Sequence, residues 1–442
     1  MRQLLQKLHA RIGDFWWYSL MIFVACRAAD LLNAFVGLWL VPKYVDPSEL
    51  GAVLPLAQFA NFLAIPAAAF ANAFRNEVSR LSVGREFGKL KTLMRGVFIA
   101  TAIFLFLAIV VARFTMPLLL ERIRIVEGSL GIVIIAASLI GTVAPIYTNA
   151  LQALKKFREQ SLINIIGAPV RLIAMLIAMP FRALTGYFVG QAATPAFCIA
   201  ASVFSLRKEF STKAEPYWSR ETSRKLLGLL ATFLAIGLAA GLSNLIEATV
   251  LRQRLPDIDS AGYYMATRFA EIAGFLSATL SFTIFPFTAN KAAKGYDYRP
   301  LVFKAMAANA IFCLLIALPF LFLGKNILSI LPHGTQYSTY WWAIPWLIGI
   351  SFPISIIGFF MTAEISANNF SFIKWMIPYD LGYPIILLMV TGYGYYTHLL
   401  PTNWSMFLEA HNIRSLDTML RWITAANCLK AILCLIALHH KK

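Results

Sequence analysis

Apolar positions in this sequence do not alternate and do not recur every third or fourth place. They run on almost unbroken and then give way to short polar, basic connectors. A helix rises 1.5 Å per residue, so a run of about 20 apolar residues crosses a hydrocarbon layer of about 30 Å. Windows of about 19 residues place twelve such runs, at 16–41, 50–74, 96–113, 129–153, 161–181, 184–206, 226–251, 261–287, 302–323, 340–363, 372–396 and 418–438. Membrane strands would be shorter and would alternate. Only helices satisfy their backbone groups internally over such lengths in lipid. The pattern predicts an all-α integral membrane protein of about twelve transmembrane helices.

Composition agrees. Of 442 residues, 59% are hydrophobic and 14% charged, whereas a soluble domain carries about 25% charged residues. The net charge of +18 would suggest a nucleic-acid partner in a soluble protein. Here its distribution matters more. With the N-terminus inside, alternate connectors hold 25 Lys and Arg, the opposite loops hold 10, and four lie within spans. The positive-inside rule then puts both termini in the cytoplasm and accounts for the charge with no nucleic acid. The basic start followed by an apolar run reads as a retained first span rather than a cleaved signal. The five cysteines sit in apolar runs without metal-ligand or CxxC spacing and read as small core residues.

The basic stretch 207–225 divides six runs from six, giving an N-terminal lobe 1–206, a linker 207–225 and a C-terminal lobe 226–442. An offset of 211 residues pairs Asn33 with Asn244, Leu40 with Leu251, Lys43 with Arg254, Asp46 with Asp257, Gly51 with Gly262 and Phe74 with Phe285. Both halves start from the same side, as in a parallel repeat. No connector is long enough for a catalytic domain. Walker A, HExxH and GxSxG sequences are absent, so neither ATP-driven pumping nor hydrolysis is indicated and an enzyme is not expected.

The informative residues are ionisable groups inside spans, where a charge costs roughly 2.5–3.5 kcal/mol at mid-bilayer. Arg27 and Asp30, with Asn33 following, lie in the first run, and Arg268 and Glu271 in the eighth. Each Arg–acid pair is spaced i, i+3 and shares a helical face. Arg171 is in the fifth run, Asn244 and Glu247 in the seventh, and Asp380 in the eleventh. One reading is a water-accessible cavity in which Arg27, Arg171 and Arg268 bind an anion with Asn33 and Asn244. Asp30, Glu247, Glu271 and Asp380 would then balance charge or couple to protons or sodium. The plainer reading is that the Arg–acid pairs only pin helices together, that Glu247 reaches water at its helix end, and that Asp380, between Pro378 and Pro384, caps a broken helix. Two terminal histidines are too few for a metal site, so neither metal nor cofactor is expected.

Four stretches carry a resemblance: LWLVPKYVDPSELGAVLPLAQFANFLAIPAAAF (38–70), LQALKKFREQSLINIIGAPVRLI (151–173), DSAGYYMATRFAEIAGFLSATLSFTIFPF (259–287) and ILPHGTQYSTYWWAIPWL (330–347). They look like the polysaccharide (O-antigen) flippases of the multidrug/oligosaccharidyl-lipid/polysaccharide (MOP) exporter superfamily. The resemblance implies a MOP/MATE-like transporter fold of two six-helix lobes in the inner (cytoplasmic) membrane. It implies export of an undecaprenyl-diphosphate-linked oligosaccharide by alternating access, with membrane lipids and a polysaccharide polymerase or chain-length regulator as partners. Arg27 and Arg268 occupy helices comparable to those bearing cavity arginines in lipid II flippases. Those relatives have fourteen spans, and their helix-one charge cluster is not intact here. The alternative is a proton- or sodium-coupled multidrug antiporter of the same superfamily, using Asp30 or Glu247. The arginine beside Asp30 opposes cation binding.

Overall fold

A computed structural model describes residues 30–83, 86–125, 128–154, 156–210, 213–367, 369–390 and 415–439. Among these residues there is no strand. The helices are α1 (residues 30–44, with a π-helical segment Val36–Leu40), α2 (Val53–Val83), α3 (Phe87–Arg122), α4 (Gly128–Ala153), α5 (Phe157–Ala178) and α6 (Ala183–Phe210). There follow α7 (Arg220–Arg254), α8 (Asp257–Ala293), α9 (Arg299–Ser329), α10 (Ala343–Ser366), α11 (Ile373–Val390) and α12 (Leu416–His439). Each of the twelve expected runs has a helix at its place, the first described only from residue 30. Eight helices are long and apolar enough to cross a membrane by length and composition.

Local sequence explains several ends. Ser219 caps α7, its hydroxyl accepting from the Thr222 N–H at 3.1 Å, and so satisfies one orphan donor of the first turn. Pro66, Pro145, Pro169, Pro195, Pro353, Pro378 and Pro384 all lie inside continuous helices. Neighbouring helices and side chains can re-satisfy the freed carbonyls of such prolines in a membrane protein. Asp380 therefore lies within α11, which runs unbroken through both flanking prolines, and does not cap a broken helix.

The chain packs as two units. One holds 1–43, 261–374 and 415–442; the other holds 44–260 and 375–414. In this packing α1 groups with α8, α9, α10 and α12, while α7 and most of α11 group with α2–α6. Such grouping follows side-chain packing across helices distant in sequence, which chain order does not reveal.

Within the first unit α10 packs on α9 and α12. Phe269 meets Phe320 edge-on at 5.1 Å, and the Trp346 indole N–H donates to Thr424 Oγ1 at 2.8 Å. A buried polar cluster joins three helices: the Ser277 hydroxyl lies 2.7 Å from Asn309 Oδ1 and 2.6 Å from the Ser355 hydroxyl. In the second unit α2 packs on α4 and α7, α4 on α6, and α6 on α5. Its core includes Phe70, Phe74, Leu93, Leu151, Leu206 and Leu226. The helical break at 45–46 recurs at 255–256, with Val45 and Leu255 both buried. That offset is 210 residues, one short of the 211 given by the residue matches.

Candidate functional site

In the first unit, the π-helical segment of α1 brings Gly37 against α8. A Cβ at Gly37 would lie 2.8 Å from Arg268 Cδ, so the absent side chain makes the room the arginine occupies. Tyr264 completes the seat. Its hydroxyl donates to the Gly37 carbonyl at 3.3 Å, and the Arg268 guanidinium lies over its ring at 4.9 Å. Arg268 Nη2 then reaches Glu271 Oε1 at 3.0 Å, with the arginine side chain 18% and the glutamate 46% exposed. The i, i+3 pairing expected from sequence is thus formed. An aromatic face and a carboxylate hold the cation, and π-helical turns of this kind recur at functional sites. Asp30 and Asn33 are half-buried on α1, at α-helical spacing before Gly37 and on its face. Arg27 lies outside the described residues.

The second unit holds Arg171, Asn244, Glu247 and Asp380. Arg171 is half-buried on α5, and Asn244 is exposed on α7. Glu247, half-buried on the same helix, accepts a hydrogen bond from the Tyr383 hydroxyl of α11 at 2.7 Å. Asp380 is buried at 5% exposure, one turn before Tyr383. The Tyr383 hydroxyl thus ties α11 to α7, and Glu247 is held by a partner rather than left to water.

Sequence reasoning missed four contributors to this geometry. Gly37, Tyr264 and Tyr383 carried no charge or motif to mark them. Arg252, counted among basic loop residues, is 1% exposed. Its guanidinium donates to Asp257 Oδ1 at 2.9 Å, to the Ser48 carbonyl at 2.6 Å and to the Ile123 carbonyl at 3.3 Å. Arg124, in a left-handed conformation at φ 62°, adds bonds to the same Asp257 oxygen and to the Gln253 carbonyl, each at 2.8 Å. This knot ties the turns after α1, α3 and α7. The available signal was an arginine five places before an aspartate at a helix junction, which is too common to single out.

At the other end of α8, the buried Glu364 accepts from the Tyr298 hydroxyl at 2.9 Å and from the Asn369 amide. Burial and the Glu364 charge push the Tyr298 pKa well above the usual phenol range, so the hydroxyl stays a donor. Among the described residues no group of His, Cys, Asp and Glu could hold a metal ion.

No family model and no curated protein matches the sequence. Solved structures do match in fold. An inward-facing multidrug resistance MATE family transporter of the MOP superfamily superposes with a TM-score of 0.68 at 12% identity, over 93% of this chain and 94% of that one. An outward-facing MATE family transporter gives 0.66 at 12% identity, over 97% and 96%. The lipid II flippase MurJ, inward closed, gives 0.62 at 14% identity, over 95% and 87%. The described residues are thus all helical, with eight helices long and apolar enough to cross a membrane, and take the MOP-type transporter fold; the structural neighbours are transporters and a flippase. At these identities the likeness extends to the fold alone.

Proposed function

We propose that this chain is a flippase for an undecaprenyl-diphosphate-linked oligosaccharide, working by alternating access in the inner membrane with both termini cytoplasmic. The observation that carries the reading is Arg268, mostly buried on α8 within an apolar run of the sequence yet held by an exposed carboxylate and a tyrosine face. A guanidinium presents a fork that matches two phosphate oxygens at once. Glu271 would keep the empty site near neutral and yield the cation to an incoming diphosphate. Asp30 and Asn33, on the α1 face that meets Arg268 at Gly37, would contact the sugar-phosphate junction, and Arg27 would add cationic character. A polysaccharide polymerase or chain-length regulator would take the exported unit. The lipid II flippase among the neighbours supports a lipid-linked substrate by analogy of fold.

The test is a leaflet-resolved assay in proteoliposomes with a labelled polyprenyl-diphosphate oligosaccharide. Wild type should move it, and Arg268→Ala or Arg27→Ala should abolish movement while folded protein remains in the bilayer. Unimpaired flipping by both variants would overturn the assignment.

A second reading, coupled efflux of organic cations, is favoured by one observation: the Glu247 carboxylate, bonded to Tyr383, is a ready acceptor for a proton or sodium. It predicts gradient-driven cation efflux that is lost in Glu247→Gln, with no flipping of the lipid-linked sugar.

A further inference from the structure

Between α6 and α7 the chain forms a strap along the first turns of α3. The Glu215 N–H donates to the Gly88 carbonyl at 3.2 Å, and the Thr92 hydroxyl donates to the Glu215 carbonyl at 2.6 Å. Positions 88, 92 and 96 share one helical face, and glycine stands where the strap crosses most closely. A Cβ at Gly88 would sit 2.6 Å from the Lys213 carbonyl oxygen, and one at Gly96 would run into the Trp218 indole. Trp218 also meets Phe74 edge-on at 6.2 Å, yet stays 42% exposed.

This docking merges two stretches far apart in sequence. Residues 75–95 and 207–225 together carry twelve Lys and Arg against five Asp and Glu. Arg95, Lys213, Arg220 and Arg224 are exposed. Just past Gly96 on α3, Phe98 and Ile99 are 46% and 50% exposed, opening the apolar surface of that helix. Trp218 therefore sits where a cationic surface meets an apolar one, the position tryptophan takes at a membrane interface.

We propose that the strap and the start of α3 form a binding surface for anionic phospholipid headgroups in the adjoining leaflet, with Trp218 at the headgroup level and Arg95, Lys213, Arg220 and Arg224 supplying the charge. A soluble acidic partner would have no use for the apolar border. Juxtamembrane cations attract anionic lipid by roughly five-fold in partition for each charge near the surface, and salt weakens the attraction within a Debye length.

The experiment is fluorescence quenching in proteoliposomes by brominated phosphatidylglycerol or brominated phosphatidylcholine, with the Trp218→Phe protein subtracted to isolate that indole. The expected result is stronger quenching of Trp218 by the anionic lipid. The preference should fall by about 25-fold in Arg220→Gln/Arg224→Gln and shrink at high salt in wild type. Equal quenching by both lipids, or a preference unchanged in the double variant, would overturn the proposal. So would selective relief by inorganic phosphate against chloride of matched ionic strength, which would mark a free-anion site instead.

Discussion

Gly37 shows how one missing side chain shapes the candidate anion site. Gly37→Val puts branched carbons into the space of Arg268 Cδ, and overpacking of this kind costs about 1–3 kcal/mol. The expected outcome is a lowered melting temperature in detergent and flipping reduced as far as in Arg268→Ala, because the guanidinium must leave its seat. A melting shift with normal transport would separate Gly37 from the site. The partner test in the second unit is Tyr383→Phe, which removes the donor to Glu247 but keeps the ring. Loss of a hydrogen bond to a half-buried carboxyl group costs about 1 kcal/mol, read as a lowered melting temperature that Glu247→Gln should not add to. Arg268 and Glu247 were legible in the sequence because charge inside an apolar run is conspicuous. Gly37, Tyr264 and Tyr383 were not, since what they contribute is proximity to a residue more than a hundred places away.

At the level of elements, the knot around Arg252 decides how three helix junctions meet. Arg252→Met keeps much of the buried volume but abandons the Ser48 and Ile123 carbonyls and one bond to Asp257. Asp257 is 40% exposed and keeps Arg124, so water and the remaining ion pair soften the loss. The expected cost is about 1–3 kcal/mol, measured by thermal unfolding, with proteolysis appearing first at the 45–46 and 255–256 breaks. The repeated break also qualifies the sequence repeat. Residue matches favour an offset of 211, whereas the helix ends repeat at 210. Six coincidences in fifty positions follow side-chain identity, while helix ends follow backbone hydrogen bonds. The prolines teach a related lesson: nine of them lie inside described helices, but none ends its helix.

For the whole molecule, orientation is the property still carried by charge count alone, and it is directly measurable. In a cysteine-free background, Lys213→Cys should react with an impermeant thiol reagent only from the cytoplasmic side, and Lys325→Cys only from the opposite side. Both positions are exposed, so lack of labelling would not be a matter of burial. Reversed labelling would invert the topology and move the cationic strap to the outer leaflet.

Hydrophobic run length, which needs no tertiary information, determined the helical class, the places of the long helices among the described residues and the separation of basic connectors from apolar spans. It did so because lipid demands that each spanning segment satisfy its own backbone. The same reasoning found the Arg268–Glu271 pair, since i, i+3 neighbours on a helix meet whatever surrounds them. Tertiary structure alone decided which helices group into each unit, which arginine is buried in a knot of turns, that Glu247 has a tyrosine partner, and that two basic stretches form one surface around Trp218. Those outcomes depend on side chains meeting across helices, and a periodicity read along one helix holds no record of the face it will meet.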